Sequence, residues 1–405
     1  MNHNSSFILN KSMYEKIFIF VLLVSFTVWF GATLLSGANN DGFNIFYNKG
    51  DDIFADSSNV TGYSFNRDPY SETYAYGGKE RAYPPFTYIL YYIISKAVFM
   101  NPYIDADNFQ SMYKLPQFLV VLTILQIITA ILSYEIFRTI KNGGNITKVL
   151  TALGLILSMP ILFTVERANT ILISMSLNTF FIFCHDSKNK VVKELSLIAL
   201  AISAALKMTP AVLGILLIYK KQWKVAIRTV IYGLFFFFAP FLMFKGGLSN
   251  VPVFFNNLSL NLSFYSAIDG CNLANWIRLL FPDISSTASN ISNVIYTLLC
   301  VFILLSIPFM RKNWQKICGI CLVLTILPSH SGYYCVLYMI PAALAFLNEE
   351  KHESFDFIAF LAFIMLFVHD IFTFLYVTGL LIMFIYMLYV SIISVKSSVS
   401  KRKTA

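Results

Sequence analysis

The 405-residue sequence is short of charge: Asp, Glu, Lys and Arg together make up 13% of it, where soluble domains carry about 25%. A chain this poor in polar side chains does not fold as a soluble globule, and its 57% of hydrophobic residues point to lipid instead. Also missing are a Gly-x-Gly-x-x-Gly or P-loop fingerprint, a family of tandem repeats and a soluble catalytic domain, which argues against nucleotide-binding folds and solenoids. Of the six cysteines only Cys271 falls outside the apolar runs, so no disulfide framework follows. Cys318 and Cys321 form a C-x-x-C inside an apolar span and read as packed small residues of a helix. The first apolar run lacks a small-residue cleavage site and reads as a retained anchor rather than a signal peptide. The net charge of +9 would suit nucleic acid, but its distribution belongs to membrane topology.

What the sequence does hold is a succession of apolar runs near the roughly 20 residues that cross a hydrocarbon core. The expected fold class is an all-α polytopic membrane protein, a single integral membrane domain over residues 1–405, with about 10–13 transmembrane or re-entrant helices. Residues 15–36 form the first crossing, entering from a basic N-terminus. The run at 83–100 is short and opens with Pro84-Pro85. If it crossed, every later basic loop would face outward, so it reads as a re-entrant or interfacial helix within a first outer loop at 37–114. Residues 115–137 return to Arg138 and Lys141, 149–164 go out, and 170–184 come back. The run at 195–219 is broken at Lys207-Met208-Thr209-Pro210 and basic at both ends, which reads as a helical hairpin with Lys207 near its outer tip. Residues 226–244 then lead to a second outer loop at 245–293, followed by runs at 294–310, 317–327, 333–347, 357–370 and 372–395. On this map twenty of the thirty Lys and Arg residues lie on one side with both termini, the expected cytoplasmic side.

The longest stretch that no membrane could hold runs from Ser36 to Tyr83. It carries Asp41, Asp51, Asp52, Asp56, Asp68, Glu72 and Glu80 against Lys49, Arg67, Lys79 and Arg81, and is the natural place for polar chemistry. Charged groups near membrane depth are costly and therefore candidate functional groups. Asp41 lies just past the first helix; Glu166-Arg167-Ala168-Asn169 occupies a tight outward turn; Lys207 stands at the hairpin tip; and His330 follows Pro328 in another outer turn. Four outer turns thus bring an acid, an Arg, a Lys and a His to one side of the membrane. An enzyme working there has no access to cytosolic nucleotide-activated donors. Its activated group must arrive attached to lipid, and a lipid phosphate sugar meets that need.

Purely structural roles stand beside these readings. Asp41 is placed to cap a short outer helix, Glu166 and Arg167 to pair with each other or hold their turn, and Lys207 to snorkel to the interface. Asp51, Asp52 and Asp56 read as solvated loop charge rather than a divalent-ion site. No metal and no cofactor is expected.

Asp41 after the first helix, Tyr83-Pro84-Pro85-Phe86 before an aromatic apolar run, the Glu166 to Asn169 turn, Lys207-x-x-Pro210, and Pro328-Ser329-His330-Ser331-Gly332-Tyr333-Tyr334 occur in an order that resembles glycosyltransferase family 87. The resemblance spans roughly residues 36–341. It departs from the family in two respects: the turn more often reads Gly-Gln-x-Asn there, and the first loop here is unusually long and rich in Asp. The resemblance implies a GT-C fold and an inverting transferase that takes a hexose, often mannose, from a polyprenyl phosphate on the outer face of the membrane. It implies an Asp of the first outer loop as general base, and Asp41 is the matching position.

With that donor one carboxylate suffices. Glycosidases need two because the departing alcohol must be protonated, whereas polyprenyl phosphate leaves as a stable anion. Arg167 and Lys207, with His330 and Arg278 behind them, are the expected ligands of the donor phosphate; Glu166, Asn169 and Tyr83 are expected to position the substrate. The partners implied are a polyprenyl-phosphate sugar, a cell-envelope glycan or lipid-linked acceptor and membrane lipid, not nucleic acid, in a bacterial inner membrane. The alternatives are an O-antigen-type polymerase or ligase, which would also carry cationic outer loops, and a transporter or flippase. Transport would call for broken helices with charges at mid-span; here the charges gather at the outer turns.

Overall fold

A computed structural model describes residues 11–37, 54–64, 67–70, 81–97, 115–264, 270–272, 281, 286–328, 332–369 and 374–403. The described residues are helical throughout, without a strand. They divide into two compact units: residues 1–43, 134–162 and 268–405, and residues 44–133 and 163–267.

Among the described residues five helices are long and apolar enough to cross a membrane: Lys11–Leu35 (α1), Pro116–Ile140 (α4), Trp223–Met243, Asn290–Phe309 and Phe374–Ser400. A bent pair passes the same test only when taken together: Asn145–Ile156 (α5) and Met159–Arg167 (α6) meet at 51°. Pro160 explains the break, since it has no N–H for the carbonyl one turn earlier and its ring crowds that turn. Shorter apolar helices complete the set at Ile171–Cys184, Thr209–Tyr219, Asn313–Ile326, Tyr333–Asn348 and Asp356–Phe367. This is an all-α integral membrane protein. Its long helices leave Phe20, Val28 and Leu34 on α1 and Ile124, Ile128 and Leu132 on α4 exposed, as lipid-facing stripes are.

In the first unit Asn313–Ile326 is the opposite case. From Trp314 on, every residue except Lys316 is buried, the mark of an apolar helix surrounded by others. Cys318 and Cys321 are free thiols inside it, as packed small residues should be. Polar contacts hold one set of helix ends. Lys141, fully buried, pairs with Glu15 and donates to the carbonyls of Asn142 and Leu347 at 2.6 and 3.3 Å. Asp356 accepts from Lys312 at 2.6 Å, the Glu353 N–H at 2.9 Å and the Tyr386 hydroxyl at 2.8 Å.

The second unit places the polar turns. Ala55–Ser64 (α2) packs on Pro85–Ala97 (α3), and Ile171–Cys184 (α7) on Lys190–Leu206 (α8). Asn189 caps α8, accepting from the N–H groups of Val191 and Val192 at 2.9 and 3.3 Å. Beyond Lys207 the chain turns back through a tight helix, Thr209–Gly214, into Ile215–Tyr219 (α9). Lys220 then pairs with Asp186, and Gln222 donates to the same carboxylate at 2.8 Å. Because Asp186 lies just before α8, the two arms form a hairpin with Lys207 at the tip and Lys220 back at the foot. Burial alone would raise the Asp186 carboxyl, but the Lys220 and Gln222 hydrogen bonds and the His185 and Lys220 charges hold it below the usual range. The return helix Trp223–Phe238 (α10) packs on α8, and Arg228 meets Glu194 at 2.9 Å.

Candidate functional site

The Glu166 to Asn169 turn is where the second unit's polar groups meet. It closes α6 and opens α7, and Ala168 sits at φ +48°, a left-handed conformation that costs a residue with a Cβ about 1 kcal/mol or more. Such a conformation persists only when its surroundings over-determine it, and here they do. The Tyr91 hydroxyl of α3 donates to the Ala168 carbonyl at 2.8 Å. The Phe54 N–H, just before α2, donates to the Glu166 carbonyl at 2.8 Å. Asn169 accepts from the Ile171 N–H through Oδ1 at 2.9 Å, satisfying an N–H that the start of α7 leaves open.

Asp56, in the first turn of α2, completes the arrangement. Its Oδ1 accepts from Arg167 Nε and Nη2 at 3.3 and 3.2 Å, and its Oδ2 from Asn169 Nδ2 at 2.7 Å. The signs suit the helix ends: an acid in the first turn of α2 and a cation in the last turn of α6 each meet the favourable end of a helix dipole. The pair is partly buried, with Arg167 23% and Asp56 18% exposed, so it keeps an open side.

A second cation lies at the hairpin tip. Lys207 ends α8 in extended backbone, and its ammonium stands 4.5 Å from the centre of the Tyr83 ring, a cation–π contact. Tyr83 is itself held: its carbonyl accepts from the Tyr70 hydroxyl at 3.0 Å, and Tyr70 packs among Tyr88, Phe241, Phe244 and Phe254. The entry to α3 is tied to the tip as well. Thr87 Oγ1 donates to the Leu206 carbonyl at 2.8 Å, filling an acceptor that the end of α8 leaves open.

Of the residues expected from sequence, the structure therefore places Arg167, Asn169 and Glu166 in one turn, and Lys207 and Tyr83 in direct contact. Glu166 and Asn169 are both buried, and Asn169 holds its turn with both ends of its amide. Arg167 meets Asp56, so Asp56 is a paired group of the folded turn rather than solvated loop charge. Asp41, Arg278 and His330 lie outside the described residues, as do Asp51 and Asp52. Among the described residues no group of three or more His, Cys, Asp or Glu gathers as a metal site would require.

Two residues escaped the sequence reading. Asp56 looked like any other acid of its loop, and its 111-residue separation from Arg167 hides the pairing. Arg81 is 2% exposed, with its guanidinium 5.6 Å from the centre of the Tyr63 ring. Its signal was its place two residues before Tyr83 and three before Pro84-Pro85, where a loop charge must enter the packed rim.

The sequence model of glycosyltransferase family 87 matches residues 82–327, more than half of the chain. The match contains Tyr83, the Glu166 to Asn169 turn, Lys207 and Arg278, whereas Asp41, Asp56 and His330 fall outside it. No curated protein matches the sequence.

Proposed function

The chain belongs to glycosyltransferase family 87, and from that membership we propose that it moves a hexose, mannose-like, from a polyprenyl phosphate to a cell-envelope glycan or lipid-linked acceptor. The protein is a membrane glycosyltransferase; the donor, the acceptor and the residues that act on them are the proposal. The observation that carries it is that the matched stretch sets two cations, Arg167 and Lys207, at helix ends in a chain otherwise poor in charge. A phosphate anion partitioning with its lipid tail into the membrane rim is the ligand such groups suit.

In this reading the acceptor hydroxyl attacks the anomeric carbon from the face opposite the phosphate. Asp41 takes the hydroxyl proton as general base, the C–O bond to phosphate breaks, and polyprenyl phosphate departs as an anion with its bond electrons. Arg167 and Lys207, with His330 and Arg278, neutralise the charge that grows on the departing phosphate. The scheme inverts the anomeric centre and requires no protonated leaving group. The fold would be of the GT-C type, with both termini cytoplasmic and the reaction on the outer face of a bacterial inner membrane. Supplying labelled polyprenyl-phosphate hexoses and the corresponding nucleotide sugars to purified protein with membrane acceptors tests the donor class. Transfer from the lipid donor alone is expected, and direct transfer from a nucleotide sugar would overturn the reading.

A further inference from the structure

The Asp56 carboxylate has both oxygens committed: one to the Nε and Nη2 of Arg167, the other to the Asn169 amide. A carboxylate so engaged is badly placed to collect a proton from an acceptor hydroxyl, which sets it apart from a base. The same contacts fix the geometry of the group they touch. An arginine side chain gives up much rotamer freedom when held in one geometry, and an unanchored guanidinium at the rim would lose that freedom only when its ligand arrives. Asp56 draws on a rigid base: α2 is pinned to the turn a second time through Phe54 N–H to the Glu166 carbonyl, and the strained Ala168 between Arg167 and Asn169 is clamped by Tyr91. Contacts from two helices thus hold a four-residue turn whose one arginine remains 23% exposed.

Resting on the transferase reading above, we infer that Asp56 is a positioning residue of the donor-phosphate site: acting through Arg167 and Asn169, it holds the guanidinium in its phosphate-binding orientation before the donor arrives. Orienting a binding group beforehand removes an ordering cost from association. Its loss therefore falls on donor affinity rather than on turnover. Asp56 lies outside the stretch matched to the family, so the clamp comes from this chain's long first loop rather than from the matched region.

The experiment measures binding of polyprenyl monophosphate, with neutral polyprenol as control, to the purified full-length protein in nanodiscs, and in parallel the donor KM and kcat for transfer. Wild type, Asp56→Asn, Asp56→Glu, Arg167→Gln and the Asp56→Asn/Arg167→Gln double variant are compared. Asp56→Asn is expected to weaken polyprenyl-phosphate binding and raise donor KM by about tenfold, in the range of coupling within such networks, while kcat changes less than about twofold. Asp56→Glu restores most of the loss, and on the Arg167→Gln background Asp56→Asn adds less than about twofold. Unchanged or tighter binding in Asp56→Asn, or equal losses with and without Arg167, overturns the inference while leaving the transferase reading intact. So does a hundredfold fall in kcat at constant KM, which would make Asp56 a base. If Asp56→Asn does not fold, Asp56→Ser carries the test: a severalfold KM increase at retained kcat supports the clamp, and an unchanged KM contradicts it. A wild type that binds polyprenyl phosphate no better than polyprenol overturns the donor reading, and the inference with it.

Discussion

The Tyr91 hydroxyl reaches from α3 to the carbonyl of Ala168 at 2.8 Å, and Ala168 is a non-glycine residue at positive φ. The contact and the strain belong together, because the hydrogen bond helps hold a conformation that alanine disfavours. Tyr91→Phe should cost about 1–3 kcal/mol by leaving a buried carbonyl without that donor. Ala168→Gly should be neutral or stabilising by up to about 1 kcal/mol, since glycine adopts positive φ without a Cβ clash. Thermal unfolding of the two variants in detergent checks both signs. A destabilised Ala168→Gly would show that the methyl group matters more than the backbone.

Asp356 gives the fold a pH dependence. Burial alone would raise its carboxyl, but the neighbouring His352 together with Lys312, the Glu353 N–H and the Tyr386 hydroxyl bring it down to about 2. A carboxylate depressed from its ordinary 3.8 stabilises the fold fully above its unfolded-state value and loses that contribution as pH falls from about 4 through 2. The contribution at neutral pH is about 2 kcal/mol. Unfolding of wild type and Asp356→Asn should therefore differ most at pH 6–7 and converge towards pH 2, and a gap that widens on acidification would contradict the account.

Lys141 and Glu15 form a buried ion pair, so removing one partner should be worse than removing both. Glu15→Gln or Lys141→Met alone leaves a charge stranded and should cost about 3–5 kcal/mol, whereas the Glu15→Gln/Lys141→Met double variant should recover part of that loss. A double-mutant cycle on thermal stability measures the recovery. Strict additivity would mean that the pair does not act as one.

The hairpin folded at Lys207 makes a topological prediction. Since Lys220 returns to Asp186, reporters fused after Lys188 and after Lys224 should read the same side of the membrane, and the charge distribution predicts a cytoplasmic reading for both. Opposite readings would turn the 195–219 run into a single crossing.

Hydropathy and flanking charge made most of the membrane framework legible. The first span was expected at 15–36 and found as Lys11–Leu35, and that at 115–137 was found as Pro116–Ile140. A long apolar run announces itself in any tertiary context. The Glu166 to Asn169 turn and the Lys207 tip were legible because charge at membrane depth is rare. The run read as one span over 149–164 proved to be bent at Pro160, since a composition window does not register a missing N–H. Helix α2, Ala-Asp-Ser-Ser-Asn-Val-Thr-Gly-Tyr-Ser, carries no apolar period and was unreadable; it is held by what it packs on, α3 and the turn. The Asp56–Arg167 pair was hidden for the same reason, its partners being brought together only by the folded turn.

In the proposed reaction sugar leaves a polyprenyl phosphate with a first-loop Asp as base. Transfer of labelled hexose from polyprenyl-phosphate donors to membrane acceptors, wild type against Asp41→Asn at matched expression, tests it most directly. Wild type is expected to transfer, with a loss of about 10²-fold or more in the variant. Full activity in Asp41→Asn would remove Asp41 as the base, and no transfer from any lipid-phosphate sugar by wild type would contradict the account itself.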